Sequence, residues 1–168
     1  MASIDFVQKH QIVEGWPIVD LQTGANTGDA VCMKLWNHVA IVFASNVGTG
    51  GDDPTLTVAQ ATTADFGTQK ALTFTDIYRK QAATDLSGTG TFTHTTQTAA
   101  GTYTNATSAE EDLIWVVEFD AQDLDVDGGY IFLRATVADV GNNAQLGYLF
   151  YILSQPRYAQ DLVPSAIA

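Results

Sequence analysis

Short apolar or alternating runs, separated by clusters of Gly, Asp, Asn and Pro, recur along most of this chain. Such spacing predicts an antiparallel β-sandwich or barrel, because each strand sends alternate side chains to a core and the chain must reverse between strands. No long helical period competes with it. Thr55 to Ala61 alternates Leu56 and Val58 with threonines, and Leu72 to Arg79 does the same with Leu72, Phe74 and Tyr78, so each run has one buried and one wet face. Ala30 to Ser45 predicts two strands meeting near Asn37 and His38, and Gly90 to Thr96 a weaker strand. Asp112 to Asp120 sets Leu113, Trp115, Val117 and Phe119 on one face. It leads through the acidic stretch Asp123 to Gly129 into Tyr130 to Val137, the pattern of a hairpin with a long loop. Ser108 to Glu111 predicts one helical turn, and Gln145 to Leu153 the last strand.

Three runs are apolar on both faces: Val39 to Phe43, Leu113 to Val117, and Leu146 to Leu153. A strand in a two-layer sandwich needs only one apolar face, so the second must be covered by a terminal arm, by loops of the same chain or by another subunit. The ends lack a clean period yet carry large apolar residues, which suggests arms that dock on this subunit or a neighbour. Phe6, Ile12, Trp16, Pro17 and Ile18 in the first segment, and Tyr158, Leu162, Val163 and Pro164 in the last, are the expected contact residues. The organisation expected is a single domain with residues 1–29 as N-terminal arm and first β segment, 30–155 as the sandwich and 156–168 as C-terminal arm.

With 168 residues the chain can bury a core without staples. Nineteen acids against seven bases give a formal charge of −12, which disfavours a nonspecific nucleic-acid or anionic-membrane binder, since both need a basic patch. Only 15% of residues are charged, so the surface must be largely neutral and polar, and Thr supplies much of it. The single cysteine, Cys32, excludes an internal disulfide framework and sits in an apolar run as a small core residue. The first residues show no signal-peptide pattern and no run approaches membrane-spanning length, so the expectation is a chain made in the cytoplasm.

Chemistry-bearing motifs are scarce. Asp123, Asp125 and Asp127 followed by Gly128 begin like a calcium loop, but the twelfth position from Asp123, where a bidentate Glu belongs, is Arg134, so an ordinary solvated turn is the stronger reading. His10, His38 and His94 form no ligand pair at metal-binding spacing. Gly48 to Asp53 lacks the Lys-Ser/Thr of a phosphate cradle, and no nucleophile elbow is present. Glu14, Glu110, Glu111 and Glu118 can make a glycosidase pair only if the fold gathers them. The expectation is a chain without catalytic residues or a cofactor.

The segments Gly51 to Ala61, Lys70 to Gln81, Phe119 to Gly129, Arg134 to Leu146 and Leu153 to Tyr158 resemble small head proteins encoded beside the major capsid protein in tailed bacteriophages. The resemblance runs over most of the chain and is one of overall pattern. It implies a capsid decoration, or cement, protein: a jelly-roll-like antiparallel β-sandwich, all-β, with extended N- and C-terminal arms. Such a protein is made in the host cytoplasm and binds the outside of the shell as a homo-trimer or dimer. The partners it implies are the major capsid protein and further copies of the chain, with no nucleic acid and no membrane. A lectin-like sandwich on a phage or cell surface is the alternative.

Overall fold

The computed structural model describes residues 6–141, 143–158 and 165–167. Among these, a four-residue helix, Phe6–Lys9, precedes twelve strands. In chain order they are β1 (His10–Asp20), β2 (Asn26–Thr27), β3 (Val31–Cys32), β4 (Trp36–Ser45), β5 (Thr55–Ala61) and β6 (Gln69–Ala71). There follow β7 (Phe74–Ala82), β8 (Thr93–Ala100), β9 (Thr102–Thr104), β10 (Asp112–Asp120), β11 (Phe132–Val137) and β12 (Leu146–Pro156).

The strands form two antiparallel sheets packed as a β-sandwich. The larger runs β1-β12-β4-β10-β7-β8; the smaller runs β2-β11-β5-β6, with β3 also on β11 and β9 also on β5. Alternation decides which side chains meet between them. Val39, Ile41 and Phe43 of β4, Leu113, Trp115 and Val117 of β10, and Leu149, Tyr151 and Leu153 of β12 point inward from the larger sheet, all at 1% exposure or less. Leu56 and Val58 of β5 and Leu133, Ala135 and Val137 of β11 meet them from the smaller one. An aromatic column crosses the core, with ring centroids 6.4 Å apart for Trp16 and Phe43, 5.6 Å for Phe43 and Trp115, and 4.8 Å for Trp115 and Tyr103.

One polar contact ties the layers. The Tyr151 hydroxyl on β12 accepts the Ala135 N–H of β11 at 3.0 Å, and burial pushes the phenol's pKa well above its ordinary value. Gly28 passes against this pair: a Cβ there would collide with the Tyr151 hydroxyl and stand 2.8 Å from the Ala135 carbonyl oxygen.

Several expectations change. Residues 10–20 are not an arm but an edge strand, paired with β12 from His10 opposite Ser154 to Asp20 opposite Leu146, with bulges around Trp16. The expected hairpin of 112–137 does not exist: β10 pairs with β4 and β7, β11 with β5, and the acidic stretch crosses between sheets. The two strands alternate alike because they face the same core from opposite sides. Ala30 to Ser45 forms the short β3, a tight 3-10 turn at Met33–Leu35 and one unbroken strand through Asn37 and His38. Ser108 to Glu111 is a turn rather than helix, anchored where Asp53 Oδ1 accepts from the Ser108 hydroxyl at 2.9 Å and the Ala109 N–H at 3.0 Å. At the other end, Ile167 bridges Val31 and the Ala166 carbonyl accepts the Cys32 N–H at 2.9 Å, so residues 165–167 dock on the edge of the smaller sheet.

Candidate interaction surface

The two outer faces of the sandwich differ sharply. On the smaller sheet a row of threonines, Thr27, Thr136, Thr57 and Thr102, runs across four strands, and Lys70 and Arg134 stand nearby. This face suits water.

The outer face of the larger sheet is apolar. The three doubly apolar runs lie side by side as β12, β4 and β10, so their second faces merge into one surface. Register fixes the neighbours: Ala44 lies between Tyr148 and Ile114, Val42 between Phe150 and Val116, and Ala40 between Ile152 and Glu118. On β1, Ile12 stands beside Ile152 and Glu14 beside Phe150; on β7, Tyr78 stands beside Val116 and Lys80 beside Ile114. Ile12, Ile18, Leu146, Tyr148 and Tyr78 are exposed there, Ile18 at 70%.

The face has relief. On its central strand β4, His38 stands at one end, 3.8 Å from Glu118, and beyond it come only Ala40, Val42 and Ala44; the taller neighbours leave Val42 and Ala44 at 8% and 5% exposure on the floor of a trough. Beside it the Tyr148 and Phe150 rings stand stacked, 6.0 Å apart and 8° from parallel, as a ridge on β12. Two open depressions flank the ridge, of about 290 Å³ beside Ile12, Pro17 and Phe150 and about 300 Å³ beside Ile18, Leu86 and Ile114.

Of the contact residues expected from sequence, Ile12, Pro17 and Ile18 border this face, while Trp16 faces the core at 6% exposure and is corrected to a packing residue. The β1 bulges explain the split, since they change which side consecutive residues take. Phe6 is exposed in the short helix with its ring stacked 4.2 Å from that of His10, and Tyr158 is exposed beyond β12. Leu162, Val163 and Pro164 lie outside the described residues. The contacts expected at the ends leave out Val42, Ala44, Tyr148 and Phe150, although all of these but Ala44 lie in the doubly apolar runs; what sequence did not supply was that these runs are neighbours.

The alternative calcium set of Asp123, Asp125 and Asp127 does not gather. Asp125 pairs with Lys70, whose ammonium, together with the Gly128 N–H, holds its carboxyl below the usual range, while Asp123 accepts the Asp120 N–H at 2.7 Å in a capping box. No group of three metal-capable side chains gathers among the described residues. Glu14 and Glu118 sit three strands apart, roughly 14 Å at the usual strand spacing, beyond the separation a glycosidase pair needs. A polar depression of about 340 Å³ is lined by Asn37, Asp120, Ala121, Gln122, Val126, Gln155 and Arg157, with no aromatic ring to stack on a sugar.

Comparison with known proteins gives no match to any family model, curated protein or solved structure.

Proposed function

We propose that this chain is a non-enzymatic structural protein that works buried against other protein surfaces. Following the phage resemblance, it is a decoration protein on the exterior of a virion capsid, where it stabilises the shell. The observation that carries the contact reading is the continuous apolar outer face of the larger sheet, opposed across the sandwich by a threonine-rich face suited to water. The resemblance alone supplies the shell.

Magnitudes favour action in numbers. About five strands and seven residues of apolar face cover roughly 570 Å² in projection. At about 25 cal/mol per Å² its burial contributes at most about 14 kcal/mol gross, a ceiling because Glu14, Glu118 and Lys80 stand on the same face, and the same order as the ~4–15 kcal/mol that association costs. A single copy therefore binds modestly, whereas copies arrayed symmetrically on one particle reinforce one another.

The test is to mix purified chain with expanded capsids of a candidate phage and count bound copies by mass or image symmetry. Saturable binding at a stoichiometry set by the lattice is expected; absence of binding to expanded shells contradicts the decoration reading. The lectin-like alternative has less support, since its cation set is not gathered and the polar depression lacks a stacking ring.

A further inference from the structure

We infer that the occupant of the apolar face is a second copy of this chain, packed face to face so that the ridge on β12 of each copy sits in the trough over β4 of the other. This deepens the contact reading above and rests on it.

Shape leads to this partner. The ridge of Tyr148 and Phe150 and the trough floored by Val42 and Ala44 run parallel on adjacent strands. They are displaced by one strand spacing, about 4.8 Å. A two-fold axis parallel to the strands and midway between β12 and β4 lays each ridge over the other copy's trough. The surface thus carries a feature and its complement at the offset that an isologous interface requires.

Area is of the right order. The axis overlays β1, β12, β4 and β10 of the two copies, roughly 460 Å² in projection, to which side-chain relief adds, against the ~800 Å² that each partner contributes to a standard interface. Polar groups stand on the outer strands and at the strand ends: Glu14 on β1 beside Phe150, His38 on β4, Asp112 and Glu118 on β10, Asp76 and Lys80 on β7. That arrangement of apolar centre and polar rim is the anatomy of a protein interface. Both partners carry −12, so the pair repels at long range and tightens as salt screens it. A basic partner on the same face shows the opposite salt response.

The experiment is light scattering and sedimentation of the full chain across concentration and salt. Wild type is expected to dimerise, more tightly in higher salt. Ala44→Trp fills the trough while adding apolar surface, so it raises the dissociation constant by about tenfold or more if docking is by shape. Tyr148→Phe keeps the ridge and leaves the constant unchanged. Circular dichroism and thermal melting verify that each variant folds, and Val42→Lys serves as second trough variant if Ala44→Trp does not. A wild type that stays monomeric at high concentration overturns the inference, as does an Ala44→Trp protein that associates as well as or better than wild type. Capsid binding is read separately: a monomer that still decorates shells sinks the dimer alone, and a dimer that ignores shells sinks the decoration role alone.

Discussion

Replacing Tyr151 by Phe removes one oxygen from the middle of the sandwich and leaves the ring in place. That oxygen accepts the Ala135 N–H at 3.0 Å, and both residues are fully buried, so the truncated core holds an amide with no acceptor. An unmade buried hydrogen bond of this kind costs about 1–3 kcal/mol. For a chain of this length that lowers Tm by roughly 3–10 °C.

The same hydroxyl makes an alkaline signature. Its folded pKa is raised by burial above the ordinary 10.0, so the stability linked to it is complete below pH 10.0 and is lost as pH climbs toward the folded value. The unfolded chain ionises this phenol first, and stability falls by about 1.4 kcal/mol per pH unit in that window. Urea melts of wild type and Tyr151→Phe from neutral pH to about pH 11 read both effects. The variant should be less stable at neutral pH and have a shallower alkaline slope. Equal stability at neutral pH, or an unchanged alkaline slope, would refute the placement of this hydroxyl between the sheets.

Other outcomes follow from the same geometry. Gly28→Ala drives a methyl into the Tyr151 hydroxyl and the Ala135 carbonyl, and should cost about 1–3 kcal/mol by denaturant titration. Asp53→Ala leaves the Ala109 N–H without its acceptor, while the Ser108 hydroxyl keeps the Asn105 carbonyl at 2.5 Å, and should cost about 1–3 kcal/mol in the same assay while leaving the apolar face intact. Asp65, Asp76, Asp85 and Asp125 have carboxyls held below the usual range, chiefly by Thr63, Thr75, Ser87 and Lys70 respectively. The stability they add is present above the ordinary value of 3.8 and fades as pH falls through their lower folded values, so calorimetry should find their contribution lost only in that acid range. Calcium at millimolar concentration should leave Tm unmoved, and a rise of about 5 °C or more would revive Asp123, Asp125 and Asp127 as ligands.

How far the sequence reached is clear strand by strand. Thr55–Ala61 and Asp112–Asp120 were legible to the residue, the first because large apolar and small polar side chains alternate, the second because a β-branched and aromatic run is bounded by aspartates. The error about β10 and β11 has a physical origin: period reports which side of a strand is buried, and two strands facing one core alternate in the same way as two that pair. The N-terminal segment lost its period because the β1 bulges shift the alternation, so a structural edge strand resembled an arm and Trp16 resembled a contact residue. The acidic stretch spelled the opening of a cation loop, yet Lys70, distant in sequence, takes Asp125. The candidate surface was half legible, in that three doubly apolar runs demanded a cover; only sheet order could reveal that they make one face. Removing residues 1–9 is accordingly the deletion that tests Phe6 without taking away β1.

The claim at the centre of the account is that the outer face of the larger sheet is buried against protein. Hydroxyl-radical footprinting measures it directly through Tyr148 and Phe150, on the ridge, and Tyr158, beyond the sheet. The chain would be labelled dilute, concentrated and mixed with expanded capsids. Oxidation of Tyr148 and Phe150 should fall severalfold in the associated states relative to the dilute chain. Equal oxidation of the ridge in every state, with association demonstrated in the same samples, would contradict it.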